Sequence, residues 1–318
     1  MIVVFGSLNV DLTACVSRFP QPGETIVGLS FAVVAGGKGA NQALAARRAG
    51  AEVAMVGAVG TDTFVSTAVS GLIDAGVDIG GVRRIDGATG SALIVVDARG
   101  ENSIVVVPGA NGSVTAADLN DASLGPSMTL VLQLEVPLDA VVGVVQRARA
   151  RGACVVLNAA PAMELPATLL SAIDVLIVNE HEAGALAAAC EVSPAPESFA
   201  AAMQQRFGCA VVVTLGSRGA LASAECGQIL FAAAPSVDVV DTTGAGDALV
   251  GALAAALDRG APWPRALAEG VAAGTLACGA AGAQAALPAA GAIARLAFEV
   301  EATIVDRRHG SSQFCADP

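Results

Sequence analysis

The chain contains no tyrosine, a single tryptophan at 263, and only two histidines, His181 and His309. Two histidines and scattered cysteines leave no ligand set at the spacings that zinc prefers. Charge is scarce as well: charged residues make up 14% of the chain and sum to a formal net charge of −12. No basic face is available to phosphate backbones, so nucleic acid is not an expected partner. The seven cysteines, at 15, 154, 190, 209, 226, 278 and 315, form no Cys-x-x-Cys pair and are odd in number. That is the usage of a reducing compartment, where a buried thiol behaves as a small hydrophobe, and a cytoplasmic location is expected. The opening Met1-Ile2-Val3-Val4-Phe5-Gly6 lacks the basic start and cleavage site of a signal peptide and reads as a first buried strand. One uncharged stretch, Gly270–Ala294, is long enough to cross a bilayer. It is mostly alanine and glycine with Pro288 inside it, which suits close-packed buried helices better than a membrane.

What is present is a large apolar fraction, 54% of 318 residues, enough for a substantial core. Short β-branched runs (Ile2–Phe5, Val53–Val56, Thr129–Leu134, Cys154–Leu157, Val175–Val178, Val211–Leu215) alternate with segments of helical periodicity (Gly39–Ala49, Thr63–Ala75, Leu138–Arg151, Glu180–Ala189, Glu197–Phe207). Continuous apolar strands between helices predict a mostly parallel sheet covered on both faces, a three-layer α/β (αβα) fold. Two segments break the alternation: Thr25–Val34, and Gly90–Val107 with a hairpin around Asp97-Ala98-Arg99-Gly100. Strands without intervening helices predict a small separate sheet, placed as a lid over a ligand crevice. The expected organisation is one domain over 1–298, with lid strands from about 12–35 and 88–108, and a mobile tail over 299–318 that carries Arg307-Arg308-His309-Gly310-Ser311-Ser312.

Two glycine clusters open helices. In Val239-Val240-Asp241-Thr242-Thr243-Gly244-Ala245-Gly246-Asp247-Ala248 a tight turn precedes an Ala- and Leu-rich helix. Unpaired amides and the positive end of the helix dipole there suit an anion. A carboxylate at Asp247 beside a bound phosphate suits a base that takes a proton from an attacking hydroxyl. A helix start in which Asp247 only complements the dipole fits the same residues. Leu249 stands where a dinucleotide fingerprint needs its third glycine, which disfavours a dehydrogenase. The second cluster, Gly36-Gly37-Lys38-Gly39-Ala40-Asn41-Gln42-Ala43, is not a Walker A loop, because Gly39 follows Lys38 and residue 32 is alanine. Its glycines let the backbone close on a ligand, and Lys38 and Asn41 offer donors to hydroxyl oxygens. A purely structural turn is the other reading.

These clusters, in this order, resemble the signatures of the ribokinase family of sugar and nucleoside kinases. The resemblance runs from Val3 to about Pro288. It includes Gly6-Ser7-Leu8-Asn9-Val10-Asp11, Phe19-Pro20-Gln21-Pro22-Gly23-Glu24-Thr25, Gly100-Glu101-Asn102 and Gly109-Ala110-Asn111. It continues through Gln133-Leu134-Glu135, Asn158-Ala159-Ala160-Pro161-Ala162, Asn179-Glu180-His181-Glu182, Thr214-Leu215-Gly216-Ser217-Arg218-Gly219 and Gly282-Ala283-Gln284. The resemblance implies ATP-dependent phosphorylation of a sugar, D-ribose at O5 above all, with Asp247 as base and the turn Gly244, Ala245, Gly246 as anion hole. It implies sugar contacts from Asn9, Asp11, Gly37, Lys38, Gly39, Ala40, Asn41 and Glu135. Nucleotide contacts would come from Asn179, Thr214, Leu215, Gly216, Ser217, Arg218 and Gly219, together with Gly246 and Asp247. Glu182 would hold Mg²⁺ through water, since that ion retains much of its hydration. A monovalent cation, K⁺, would lie against Asp241, Thr243, Ala277, Ala280, Gly282 and Ala286, mostly through carbonyls. Here Ala280 replaces a residue often basic in the family and Ala286 one that is often serine, so a side-chain ligand at 286 is lost. A homodimer through the lid is also implied. Two other readings stay open: a related kinase for 2-deoxyribose, fructose, 2-keto-3-deoxygluconate or adenosine, and a catalytically silent sugar-binding protein.

Overall fold

The computed structural model describes residues 1–224 and 227–305. In chain order, β1 (Ile2–Phe5) leads through β2 (Asn9–Cys15) and β3 (Ser30–Gly36) to α1 (Lys38–Arg48), β4 (Val53–Val59), α2 (Val65–Asp74) and β5 (Asp78–Arg84). Next come β6 (Gly90–Val96), β7 (Asn102–Val107), β8 (Thr129–Leu132), α3 (Leu138–Ala150), β9 (Cys154–Asn158), α4 (Ala167–Leu170), β10 (Val175–Asn179) and α5 (Glu180–Cys190). The chain continues with α6 (Pro196–Phe207), β11 (Ala210–Thr214), β12 (Ala220–Ser223), β13 (Ile229–Ala232), α7 (Ala245–Asp258), α8 (Trp263–Ala277), α9 (Ala290–Ala297) and β14 (Ala302–Val305).

Ten strands form one sheet in the order β14-β13-β12-β11-β10-β9-β8-β1-β4-β5. From β11 to β5 every ladder is parallel, and antiparallel β12, β13 and β14 extend one edge. Helices α1, α2, α7, α8 and α9 pack an apolar layer on one face, and α3 to α6 pack the other. This is the expected three-layer arrangement, and it explains why strands such as Val-Leu-Ile-Val at β10 carry no polar alternation. The remaining strands form a small sheet in the order β3-β2-β6-β7. β2 leaves β1 within a few residues, so this sheet stands on the C-terminal edge of the large one.

Two expectations need correction. The run from Thr25 becomes a strand only at Ser30 and extends to Gly36. The tail does not detach after Phe298: β14 pairs with β13 from Ile229↔Val305 to Ala232↔Ala302, because the β-branched run Thr303-Ile304-Val305 finds an open sheet edge. The basic segment Arg307–Ser312 lies outside the described residues.

The uncharged stretch divides at the end of α8 and resumes in α9. Among the described residues no helix is long and apolar enough to cross a membrane. Its small residues instead let helices approach. A Cβ added to Gly270 of α8 would sit 3.2 Å from the Leu253 Cβ of α7, and one on Gly251 of α7 would sit 2.5 Å from the Ala45 Cβ of α1. This close packing sets the N-terminal turns of α1 and α7 side by side.

Candidate active site

The C-terminal ends of the parallel strands carry most of the polar residues singled out in the sequence, the edge at which open α/β sheets bind ligands. Ser7 follows β1, Glu135 follows β8, Asn158 ends β9, Asn179 ends β10 and Thr214 ends β11. Asn179 and Thr214 are direct register partners.

On the small-sheet side, Asn9 and Asp11 are two residues apart on β2 and therefore share one face. Asn9 is 4% exposed, and its Oδ1 accepts from Asn111 Nδ2 at 2.7 Å. Asn111 is itself fixed by bonds to both backbone groups of Leu8, which explains the Gly-Ala-Asn run at 109–111. Burial, then the nearby Glu135 and Asp247, push the Asp11 carboxyl up to about 6. Gly36 leaves room for that carboxylate: a Cβ there would lie 2.3 Å from Asp11 Oδ1. Glu135 Oε2 accepts from Ser7 Oγ at 2.5 Å and from the Lys38 backbone amide at 3.0 Å, so it ties the second glycine cluster to the end of β1. Burial disfavours the Lys38 ammonium, yet Asp247, Glu135 and Glu182 outweigh it and leave its pKa raised.

The glycines of that cluster fit the structural turn that was the other reading. Gly37 has φ +90°, and a Cβ on it would lie 2.7 Å from the Asn9 backbone nitrogen; one on Gly39 would lie 2.6 Å from the Ser7 nitrogen. Both admit neighbouring backbone at close range. Ala40 is fully buried in the core, so its side chain does not face the crevice.

Asp247 lies in the first turn of α7 and is 8% exposed. Its Oδ2 accepts from Asn41 Nδ2 and its Oδ1 from Gln42 Nε2, each at 2.9 Å. Burial raises its pKa above the ordinary carboxylate value, against the pull of Lys38 and the two amide bonds. The helix has no side-chain cap: Gly244 takes the capping position at φ +80°, and a Cβ there would meet Ala283 backbone at 2.8 Å. The Ala245 amide donates to the Thr242 carbonyl at 3.2 Å, which removes it from the expected anion hole. Among the described residues the amides of Gly246 and Asp247 have no such partner and remain open to an anion.

On the opposite side, Asn179 and Glu182 form a reciprocal capping box at the start of α5, each backbone amide donating to the other's side chain at 2.8 Å. Glu182 is 7% exposed, and burial raises its pKa despite the Asn179 bond and Lys38. After β11 the chain turns tightly through Gly216–Arg218, closed by Leu215 N–H donating to Gly219 O at 2.8 Å. Ser217 and Arg218 are exposed, Arg218 pairs with Glu180 at 2.5 Å, and the Leu215 side chain points into the core. Asp241 Oδ1 accepts from Thr243 and Oδ2 from Gly282 N at 2.9 Å. Burial acts against its ionisation, but these bonds hold the carboxyl below its ordinary pKa. They join Thr243 to Gly282, and so link the two segments, 241–243 and 277–286, where the family resemblance implies a monovalent cation.

Against known proteins, the model of the pfkB family carbohydrate kinases matches residues 1–290. The chain belongs to this family. It is 39% identical over 276 residues to the ribokinase of Schizosaccharomyces pombe, covering 82% of this chain and 86% of the relative. It is 34% identical over 258 residues to a deoxyribokinase of Salmonella typhi, covering 80% and 84%. Among solved structures, Arabidopsis thaliana ribokinase complexed with ribose and ATP superposes with a TM-score of 0.83 at 28% identity, covering 93% and 98% of the two chains.

The site of this kinase also contains buried polar residues that the motifs did not flag for chemistry. Gln42, Gln133, Asn158 and Gln284 are buried around Asn41 and Asp247 and bonded to one another or to them. Each stood inside a quoted run, but only the fold brings residues from α1, the ends of β8 and β9, and the segment before α9 to one carboxylate.

Proposed function

We propose that this kinase transfers the γ-phosphoryl group of ATP to O5 of D-ribose, giving ribose 5-phosphate and ADP. The observation that carries the reading is Asp247, a buried carboxylate beside open helix amides and near enough to Asp11 of β2 to raise its pKa. The named ribokinases support the substrate. The reactive hydroxyl of the sugar gives its proton to Asp247 as its oxygen forms a bond to the γ-phosphorus, and the bond to the ADP oxygen breaks. The Gly246 and Asp247 amides and the α7 dipole stabilise charge on the transferring group. Asn9, Asp11, Lys38 and Asn41 orient the sugar, while the turn 214–219 cradles the nucleotide. The small sheet excludes water that would otherwise take the phosphoryl group.

Magnesium would lie near Glu182, because an ion that keeps most of its water needs few protein carboxylates. One buried carboxylate, held in place by the Asn179 amide, suits an ion held mainly by water and phosphate oxygens. Its chemistry would be to neutralise those oxygens. A monovalent cation fits the loops joined by Asp241, with Thr243, Ala277, Ala280, Gly282 and Ala286 offering backbone carbonyls. Faster turnover in potassium than in sodium at equal ionic strength supports that site, and equal rates would remove it. The described cysteines are all free, in keeping with a cytoplasmic enzyme.

The test is ADP release with ribose, wild type against Asp247→Asn. The variant keeps the shape and loses the base, so kcat should fall by about 10²–10⁴ with little change in sugar affinity. A variant that retains more than about a tenth of the activity removes Asp247 from the mechanism.

A further inference from the structure

The polarity of the bonds around Asp247 is set from far away. An amide side chain can turn over with almost no change of shape, and if Gln42 did so it would present oxygen to the carboxylate. Three contacts forbid this. The Asn158 Nδ2 donates to the Ile177 backbone carbonyl at 3.1 Å, and a carbonyl can only accept, so Asn158 must present its oxygen to Gln42. That oxygen accepts from Gln42 Nε2 at 2.9 Å. Gln133 Nε2 donates to Gln42 Oε1 at 2.7 Å and holds the other end. Gln42 Nε2 is thereby aimed at Asp247 Oδ1.

The arrangement has a local cost. Gln133 Oε1 is the one buried side-chain polar atom without a partner among the described residues. It sits against Gly6, where an added Cβ would lie 1.9 Å away. Turning Gln133 over would set its oxygen against that of Gln42, so the unpaired acceptor is retained and the donor row toward Asp247 is preserved. Gln42 and Gln133 are fully buried and stand behind the carboxylate.

We infer that Gln42, held in one orientation by Gln133 and Asn158, is a positioning residue that keeps Asp247 ionised with its carboxylate facing the crevice. This rests on Asp247 being the base. The charged groups facing Asp247 are Lys38 from α1, Glu135 after β8, Asp11 on β2 and Glu182 on α5. Only Lys38 favours the anion, so the neutral amides supply the rest of its support.

The experiment compares Gln42→Met, Gln42→Glu, Gln133→Met and Asp247→Asn, measuring kcat against pH at saturating ribose and ATP, with ribose affinity and melting temperature. Gln42→Met should lower kcat about tenfold, the scale of one lost bond to a charged group. It should also move the acid limb of the profile upward by about one pH unit and change ribose affinity less than about threefold. Gln42→Glu, which adds a like charge, should move the limb further. Gln133→Met touches no reacting group and should move it the same way by less. If Gln42→Met does not fold, Gln133→Met decides. Folded variants whose acid limb coincides with wild type overturn the inference while Asp247→Asn remains inactive. An active Asp247→Asn overturns instead the reading of the base.

Discussion

Four carboxylates and one ammonium share a crevice in this kinase, where burial first and the neighbouring charges second disfavour ionised carboxylates. Asp11 shows it best, its pKa pushed up to about 6 against an ordinary value of 3.8. The folded chain therefore binds this proton more tightly than the unfolded one. The stability that comes with the protonated group is fully present below about pH 4 and is lost as pH rises through about 6. Asp11→Asn should accordingly raise the melting temperature of the ligand-free enzyme by a few degrees at pH 7.5, with the gain shrinking to nothing near pH 4. The same change should weaken ribose binding far more than ATP binding. Equal shifts in melting temperature at both pH values would mean that Asp11 carries no such strain. Residues of this kind were legible in the sequence, because Asp11, Glu135, Glu182 and Asp247 stand in short runs next to glycines or strand ends. The amides behind Asp247 were not, since a bond between Gln42 and Gln133 leaves no trace in local spacing.

Helices and buried parallel strands were read from period and composition, and their limits fall within a few residues of the structure. What escaped were elements whose reason to exist lies elsewhere in the fold. β5, Asp-Ile-Gly-Gly-Val-Arg-Arg, has no apolar run and is a strand because β4 offers it an edge. β12 to β14 are four residues each and form an antiparallel extension of that same sheet. Asn179 was read as a nucleotide contact and Glu182 as a magnesium holder, yet the pair is also the N-terminal lock of α5. The two roles can be separated. Glutamine preserves a capping box and removes the charge, so Glu182→Gln should leave melting temperature near that of wild type. The magnesium concentration for half-maximal rate should rise, because the lost charge acts on the metal. Glu182→Ala should lose about 1 kcal/mol of stability as well. An unchanged magnesium dependence in Glu182→Gln would confine the residue to the cap.

At the scale of the molecule, the small sheet is the least covered part. All six residues of β7 are exposed, including Ile104, Val105, Val106 and Val107, and so are Phe31, Val33 and Val34 on β3. Apolar edge strands of this kind pair or aggregate unless something covers them, and a homodimer through the lid is the proposed cover. Sedimentation should give a dimer, and Ile104→Lys should shift it toward monomer; a monomeric wild type would exclude that cover. The lid also bears on substrate choice, since it holds Asn9 and Asp11 but no tyrosine or tryptophan on which a nucleobase could stack. The most direct measurement is kcat/KM with ATP for ribose, 2-deoxyribose, fructose, 2-keto-3-deoxygluconate and adenosine. A site that hydrogen-bonds a hydroxyl loses about 1–3 kcal/mol when that hydroxyl is missing. Ribose should therefore exceed 2-deoxyribose by at least about tenfold and adenosine by more. A higher kcat/KM for 2-deoxyribose, adenosine or the keto acid would leave the family in place and contradict ribose as the substrate.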